Sequence, residues 1–364
     1  MTILVVGAGY AGCVLAERIA SQLGKRVTLM ERRAELGGHA HDGYDAHGIF
    51  VHTYGPHIFH THSEEVWNYL SQFTEWRSYE HRVLADLDGQ RLPIPINRNT
   101  LNKLYHLNLQ TDEEVERFYA QVREPISEPK NAEEQVLSRV GRDLYDKFFR
   151  HYTAKQWGCD PKELAPSVTA RIPTRTSDDD RYFSDAHQAI PAAGYTALFK
   201  RMVDHPNIRL MLNQDFHTTQ PHYDHLIYTG PIDAFFDYRF GRLPYRGLRF
   251  RSEYHPCDYV QEVAQINYPG TQPYTRITEC KHLTGQQCRG TTITYEYPTE
   301  AAEEPFYPVL TPASLELLTR YQELAATLPN VTFCGRLAEF KYYNMDQVTE
   351  RALTLFETEL RFAL

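Results

Sequence analysis

The sequence predicts an α/β fold, with a Rossmann-like dinucleotide-binding domain interrupted by a helical insertion and joined to an antiparallel β-sheet domain. Three observations carry this. A short apolar run, TILVV at 2–6, leads through GAGYAG (7–12) into a helical pattern and then a second apolar run, RVTLME at 26–31; this is the opening of a βαβ unit. From about Asn99 to Lys162, segments such as TDEEVERFYAQV and EEQVLSRVGRDLYDKFFRHYTAKQW keep a helical polar–apolar period. From about Asp224 to Tyr297 the texture changes to Tyr, Thr and β-branched residues punctuated by Gly and Pro, as in strands.

Each element follows from local signals. The first helix is expected from Cys13 to about Leu23, after the glycine turn. NVTFCGRLAEF near the end reads as a strand and a loop, and residues 345–362 read as a final helix. SVTARIPTRTSDDDRYF (167–183), with its proline, arginines and acidic triplet, reads as a loop and a candidate mobile segment. The expected division assigns 1–62, 186–235 and 325–364 to the dinucleotide-binding domain. It assigns 97–165 to the helical domain, and 63–96, 166–185 and 236–324 to the antiparallel sheet domain.

Length and composition agree with this. A chain of 364 residues suggests about two or three domains. Its 42% hydrophobic and 23% charged residues are ordinary for a soluble globular protein. No run approaches the roughly 20 apolar residues of a membrane span, and glycines break the first apolar stretch where a signal peptide would continue. The expectation is a soluble, cytoplasmic protein with no membrane association. A net charge of −9 argues against nucleic-acid binding, while local arginines can still hold an anion. The six cysteines form no CxxC and no zinc pattern, which predicts a reduced compartment, no disulfides and no metal site. The 25 tyrosines, 18 phenylalanines and 3 tryptophans supply flat faces with polar tips, which suit nucleotide and sugar sites as well as ordinary cores.

The chemistry begins at GAGYAG. Gly7 permits a tight turn, Gly9 lets backbone approach a pyrophosphate at the helix N-terminus, and Gly12 closes the GxGxxG spacing around Tyr10 and Ala11. Glu31 ends the next strand and offers a carboxylate to ribose hydroxyls. ERRAELGGHA then places Arg32 and Arg33 after the acid and the Gly37–Gly38 pair before His39. This resembles the extended FAD signature of amine-oxidase-like flavoproteins, and it turns the reading from NAD to FAD. GRLAEFKYYNMDQV (335–348) adds Gly335, Arg336 for a phosphate, and a fresh helix N-terminus near Met345 for the flavin.

Over nearly its whole length the sequence resembles the bacterial UDP-galactopyranose mutases. The resemblance rests on GAGYAG, YGPHIFHT (54–61), PINRNT (95–100), FFRHYTAKQWG (148–158), RIPTR (171–175), RYFSD (181–185), YTGPIDAFFDYRFG (228–241), PYTRITECKH (273–282), EYP (296–298) and GRLAEFKYYNMDQV. It implies an isomerase that interconverts UDP-galactopyranose and UDP-galactofuranose through FAD that must be reduced. The flavin N5 attacks the anomeric carbon, UDP leaves, and the sugar recloses as a five-membered ring. It also implies an external reductant such as NAD(P)H, a homodimer, and supply of galactofuranose to surface glycans.

The same resemblance assigns roles by position. Arg171 and Arg276 fall at the diphosphate arginines, with Arg171 in the loop-like segment that could close over substrate. Phe149 and Tyr152 fall at uridine contacts. Phe148 and Thr153 belong to the same stretch, Phe148 fitting a helix core stripe equally well, and Trp157 lies nearer the diphosphate and sugar. Tyr182, Tyr307 and Tyr342 match tyrosines that hydrogen-bond the diphosphate, and Asn97 and Asn267 match polar residues of the substrate cleft. His57, Ile58 and His60 lie beside the flavin, with His60 also facing the sugar at the catalytic centre and no general-base role assigned. Phe216, Tyr343, Met345, Asp346, Gln347 and Val348 complete the FAD contacts. Two positions depart from the family: His39 stands where Asn is frequent, and Asn344 on the substrate side stands where many relatives have Asp. Two other functions remain open: a mutase for another nucleotide sugar (UDP-N-acetylgalactosamine or a deoxysugar nucleotide), and an amine-oxidase-like flavin oxidase. The oxidase would need an apolar tunnel and no diphosphate arginines.

Overall fold

The computed structural model describes residues 1–300 and 304–364. Strand Ile3–Val6 lies at the centre of a five-stranded parallel sheet, ordered Ile208–Met211, Val27–Met30, Ile3–Val6, His225–Tyr228 and Val331–Phe333. Both faces of this sheet are covered, which explains why its strands read as continuous apolar runs. On one face the helix Tyr10–Gln22 buries Val14, Leu15 and Ile19, packed with Leu198 and Phe199 of helix Tyr195–Val203 and Ala352 of helix Met345–Leu355. On the other, Leu4, Met30 and Tyr228 meet Phe216 and Phe235.

The antiparallel unit has seven strands in the order Tyr307–Pro308, Tyr245–His255, Thr291–Glu300, Arg276–Glu279, Gln265–Asn267, Val83–Leu87 and Gln90–Ile94. One neighbouring pair, Gln265–Asn267 with Val83–Leu87, runs parallel. A smaller sheet joins Phe59–Thr61, His187–Pro191 and Trp76–Ser78.

The helical stretch contains Arg98–Tyr105, Asp112–Val122, Ala132–Leu144 and His151–Trp157, with a π-helical passage over Tyr145–Arg150. Its kink has a definite cause. Gly141 adopts φ 79° and ψ 178°, and a Cβ there would stand 2.0 Å from the Val122 carbonyl oxygen. The chain therefore turns at Gly141 and widens at Tyr145 before it presents Phe148, Phe149, Tyr152 and Trp157. Wide π-type turns of this kind recur at functional sites.

Several elements differ from the sequence reading. Helix Tyr195–Val203 and helix Pro312–Ala325 lie outside the expected elements, although Thr311 caps the second reciprocally with Ser314 and Pro312 sits in its first turn. The segment 167–183 is not all loop, because Ser167–Ala170 forms a helical turn. Nor does it hang free: Arg139 donates to the Ile172 carbonyl at 2.8 Å and to Thr174 Oγ1 at 3.1 Å, and Asn97 Nδ2 reaches Asp180 Oδ1 at 2.7 Å. The six cysteines are free thiols. Among the described residues, no helix is long and apolar enough to cross a membrane.

Gly141→Ala is expected to lower unfolding free energy by about 2–4 kcal/mol, because it forces both a glycine-only backbone conformation and a backbone overlap. Urea denaturation of the purified protein checks this; an unchanged midpoint would mean that the kink is not required.

Candidate active site

A cavity of about 570 Å³ opens at the carboxyl ends of the parallel strands, where open α/β sheets place their ligands. Gly7, Gly9, Tyr10 and Ala11 form its floor; Glu31, Arg32 and Phe216 stand at one end; and Gly37, Gly38, His39, His57, Gly335, Arg336, Tyr343, Asn344, Met345 and Val348 complete the wall. Gly12 turns inward instead, so close to the first strand that a Cβ would lie 1.8 Å from the Gly7 carbonyl oxygen. Ile58 belongs to a neighbouring apolar cluster. Gln347 Oε1 accepts from the Asn344 N–H at 2.9 Å and so fixes the start of the last helix. Asp346 lies off the cavity wall, with Oδ1 buried and without a partner, and burial raises its pKa.

This cavity fits a flavin dinucleotide on three counts. Helix Tyr10–Gln22 begins at Gly9 with no side-chain cap, leaving its first N–H groups for a pyrophosphate. Backbone forms the cradle: a Cβ on Gly38 would meet Gly9 Cα at 3.1 Å. The buried Glu31 carboxylate accepts from the Ala8 N–H at 2.8 Å and the Arg33 N–H at 2.9 Å, which orients it and leaves lone pairs for ribose hydroxyls. His39 stacks on Phe306 with ring centroids 4.3 Å apart and meets Glu304 at 3.1 Å. Glu304 also pairs with Arg32 at 2.7 Å and with Arg33. No sequence signal singled out Glu304, since these partners meet only through the fold.

A second cavity, about 90 Å³, lies between the helical insertion and the seven-stranded sheet. Phe148, Phe149, Tyr152, Thr153 and Trp157 come to it from one helical run, Arg171 and Tyr182 from the following segment, Asn267 and Arg276 from the sheet, and Tyr342 from the approach to the last helix. Gln265 donates to Asn267 Oδ1 at 2.8 Å and fixes that side chain. Tyr342 joins the two cavities, because the Arg336 guanidinium of the first cavity lies 5.1 Å from its ring centre. Arg171 lies 4.0 Å from the same ring and donates to its hydroxyl at 3.2 Å. Arg276 reaches Glu296 Oε2 at 2.8 Å through both Nε and Nη2. Burial pushes the Tyr342 phenol up, yet Arg171, Arg336 and Arg276 outweigh it and hold its pKa below the ordinary value. Burial pulls the Arg336 guanidinium down. Arg171 and Arg276 line this cavity and Arg336 approaches Tyr342 from the first; among the described residues only Arg276 of the three is paired with a carboxylate, Glu296, which leaves excess positive charge suited to an anion.

Three residues expected at the substrate side lie elsewhere. Asn97 is fully buried as the cap of helix Arg98–Tyr105: its Oδ1 accepts from the Thr100 N–H at 2.9 Å and its Nδ2 is used by Asp180. Tyr307 stands behind Trp157, at 5.0 Å between rings, with its hydroxyl donating to the Gln156 carbonyl at 3.1 Å. Asn344 lines the first cavity rather than the second. His60 borders neither; it stacks on Phe183 at 3.7 Å and meets Asp185 at 3.0 Å. Glu296 lies in the EYP motif, but its pairing with Arg276 appears only in the sheet register.

The family model described as UDP-galactopyranose mutase matches residues 147–342, and a model described as an NAD(P)-binding Rossmann-like domain matches residues 5–73. A protein named probable UDP-galactopyranose mutase from Klebsiella pneumoniae is 39% identical, over 96% of this chain and 92% of its own length. The chain belongs to the UDP-galactopyranose mutase family. It is therefore a flavin-dependent isomerase of the nucleotide-sugar pyranose–furanose mutase type. A dTDP-fucopyranose mutase from Escherichia coli is also similar, 36% identical over 96% of each chain. In fold, the chain matches a crystal structure of reduced UDP-galactopyranose mutase with TM-score 0.80 and 16% identity, covering 99% of this chain and 94% of that one. Putrescine oxidase bound to putrescine matches with TM-score 0.58 and 12% identity, 99% of each chain covered, a likeness of fold alone.

Burial keeps four histidines neutral, two of them, His39 and His57, in the wall of the first cavity. Burial lowers His39 and His52 to about 4 and His57 and His81 to about 3, from an ordinary 6.5. Each takes up its proton less readily folded than unfolded. The stability they contribute is therefore present above about pH 6.5 and is lost as pH falls through the window toward 4 and 3. The Tm of the FAD-loaded enzyme at pH 5 is expected at least about 3 °C below that at pH 7.5. Scanning calorimetry at the two pH values checks this, and an equal or higher Tm at pH 5 would contradict it.

Proposed function

We propose that the enzyme interconverts UDP-galactopyranose and UDP-galactofuranose, with its FAD reduced by an external donor such as NAD(P)H, and that it works as a homodimer. The observation that carries this reading is the arginine–tyrosine cluster of Arg171, Arg276 and Tyr342, set between an aromatic slot and the dinucleotide cavity. The Klebsiella relative supports the galactose assignment.

Reduced FAD, when bound, supplies a nucleophilic nitrogen for the anomeric carbon. The chain's own groups do the rest. Phe149 and Tyr152 offer flat faces to uracil. Arg171 and Arg276 neutralise the diphosphate as it takes up the charge of a leaving group, by charge-assisted hydrogen bonds that strengthen as that charge develops. Tyr182 and Tyr342 supply hydroxyls on the same side. Glu296 holds Arg276 in place, so that its remaining donors point at the ligand. The deoxysugar alternative is favoured by one observation, the similar identity of the E. coli dTDP-fucopyranose mutase.

Dithionite-reduced enzyme is expected to convert UDP-galactofuranose to UDP-galactopyranose, and the oxidised enzyme to be inactive. Chromatographic assay of both nucleotide sugars checks this. Faster turnover of dTDP-fucofuranose would move the assignment to the deoxysugar, and peroxide release without isomerisation would refute the mutase reading. Arg171→Ala is expected to lower kcat by about 100- to 1000-fold with the flavin absorbance retained; near-normal turnover would remove Arg171 from the diphosphate site.

A further inference from the structure

Helix His151–Trp157 carries four residues of the second cavity, Tyr152, Thr153, Gln156 and Trp157. Between them, Lys155 does something different. Its ammonium donates to three backbone carbonyls of a single loop: Tyr268 at 2.7 Å, Gln272 at 2.9 Å and Tyr274 at 3.1 Å. That loop joins strand Gln265–Asn267 to strand Arg276–Glu279, and both of its ends enter the cavity, through Asn267 and Pro269 on one side and Arg276 on the other. The backbone around Lys155 is also tied down. Arg246 donates to the Lys155 and Gln156 carbonyls at 3.2 and 3.0 Å, and Tyr307 donates to the latter.

We infer that Lys155 is a positioning residue, an ammonium clamp that sets the Arg276 side of the nucleotide cavity at a fixed distance from the aromatic helix. This rests on reading the second cavity as the nucleotide site. An ammonium has three donors that can converge on three carbonyls, whereas the planar guanidinium of arginine cannot point its donors that way. Burial lowers the Lys155 ammonium to about 8. Without the clamp, the loop's carbonyls would turn to solvent and Arg276 would lose its reference to Tyr152 and Trp157, so ligand affinity would fall while the flavin site stayed intact.

A control of the same chemistry exists elsewhere in the fold. Lys281 donates to the Asp258, Cys288 and Gly290 carbonyls at 3.1, 2.6 and 3.1 Å and lines neither cavity. A merely structural clamp would behave alike at both positions.

The test is calorimetric titration of the FAD-loaded enzyme with UDP, with dTDP as the second probe, for wild type, Lys155→Met and Lys281→Met. Lys155→Met is expected to raise Kd about tenfold and KM in step, and to lower kcat as well because a displaced Arg276 supports the leaving diphosphate less, with the flavin retained. Lys281→Met is expected to lower Tm and leave Kd within about twofold of wild type. Should Lys155→Met not fold, Lys155→Arg keeps the charge and is expected to raise Kd about threefold. A Kd within about twofold of wild type for the Lys155 variant, or equal weakening by both lysine variants, overturns the inference. Failure of the wild type to bind either nucleotide would instead overturn the reading of the cavity.

Discussion

The site depends on an imbalance of charge around one tyrosine. Arg171, Arg276 and Arg336 converge on Tyr342, and among the described residues only Arg276 of the three is paired with a carboxylate, Glu296. Like charges gathered in a partly desolvated wall repel one another and are costly unless an anion completes them. Such a cluster persists when the surrounding structure imposes it and the ligand relieves it. The diphosphate of a nucleotide sugar is the anion that its size, its donors and its place between two cavities suit best.

The rest of the fold can be understood as what holds those charges together. Arg171 follows a helical turn at the end of the insertion, Arg276 opens a strand of the seven-stranded sheet, and Arg336 and Tyr342 lie between the last parallel strand and the last helix. The three units therefore meet at one point; Arg139 ties down the segment after Arg171 and Lys155 the loop before Arg276 from a distance in the chain, while Arg336 is held locally by the Tyr343 carbonyl. The parallel sheet supplies the dinucleotide cavity by its topology, and Tyr342 puts the second cavity next to it.

How much of this was legible in the sequence varies with the range of the interaction. The parallel-sheet opening, Glu31 and the helix starting at Met345 follow from short patterns, because strand burial, turn chemistry and helix capping are local. The aromatics and the two arginines proposed for the substrate were named through long motifs, and the fold brings Phe148, Phe149, Tyr152, Trp157, Arg171 and Arg276 to one cavity. Asn97 was misplaced for a physical reason: a motif records that an asparagine is present, not that Thr100 and Asp180 use its amide. Tyr307 and His60 are likewise held by partners distant in the chain, Gln156 and Asp185, whereas Asn344 is held by a local capping box with Gln347. Glu296, Glu304 and Lys155 escaped because what each does depends on groups far away in the chain. Helix Pro312–Ala325 was within reach, since Thr311, Pro312 and Ser314 form a recognisable start.

As proposed above, the excess positive charge around Tyr342 is a diphosphate site facing a flavin. A crystal structure of the FAD-loaded enzyme with UDP tests it most directly. The diphosphate is expected within hydrogen-bond distance of Arg171 and Arg276, with uracil against Phe149 and Tyr152. A diphosphate bound elsewhere, with both guanidiniums turned to solvent or to protein carboxylates, would contradict it.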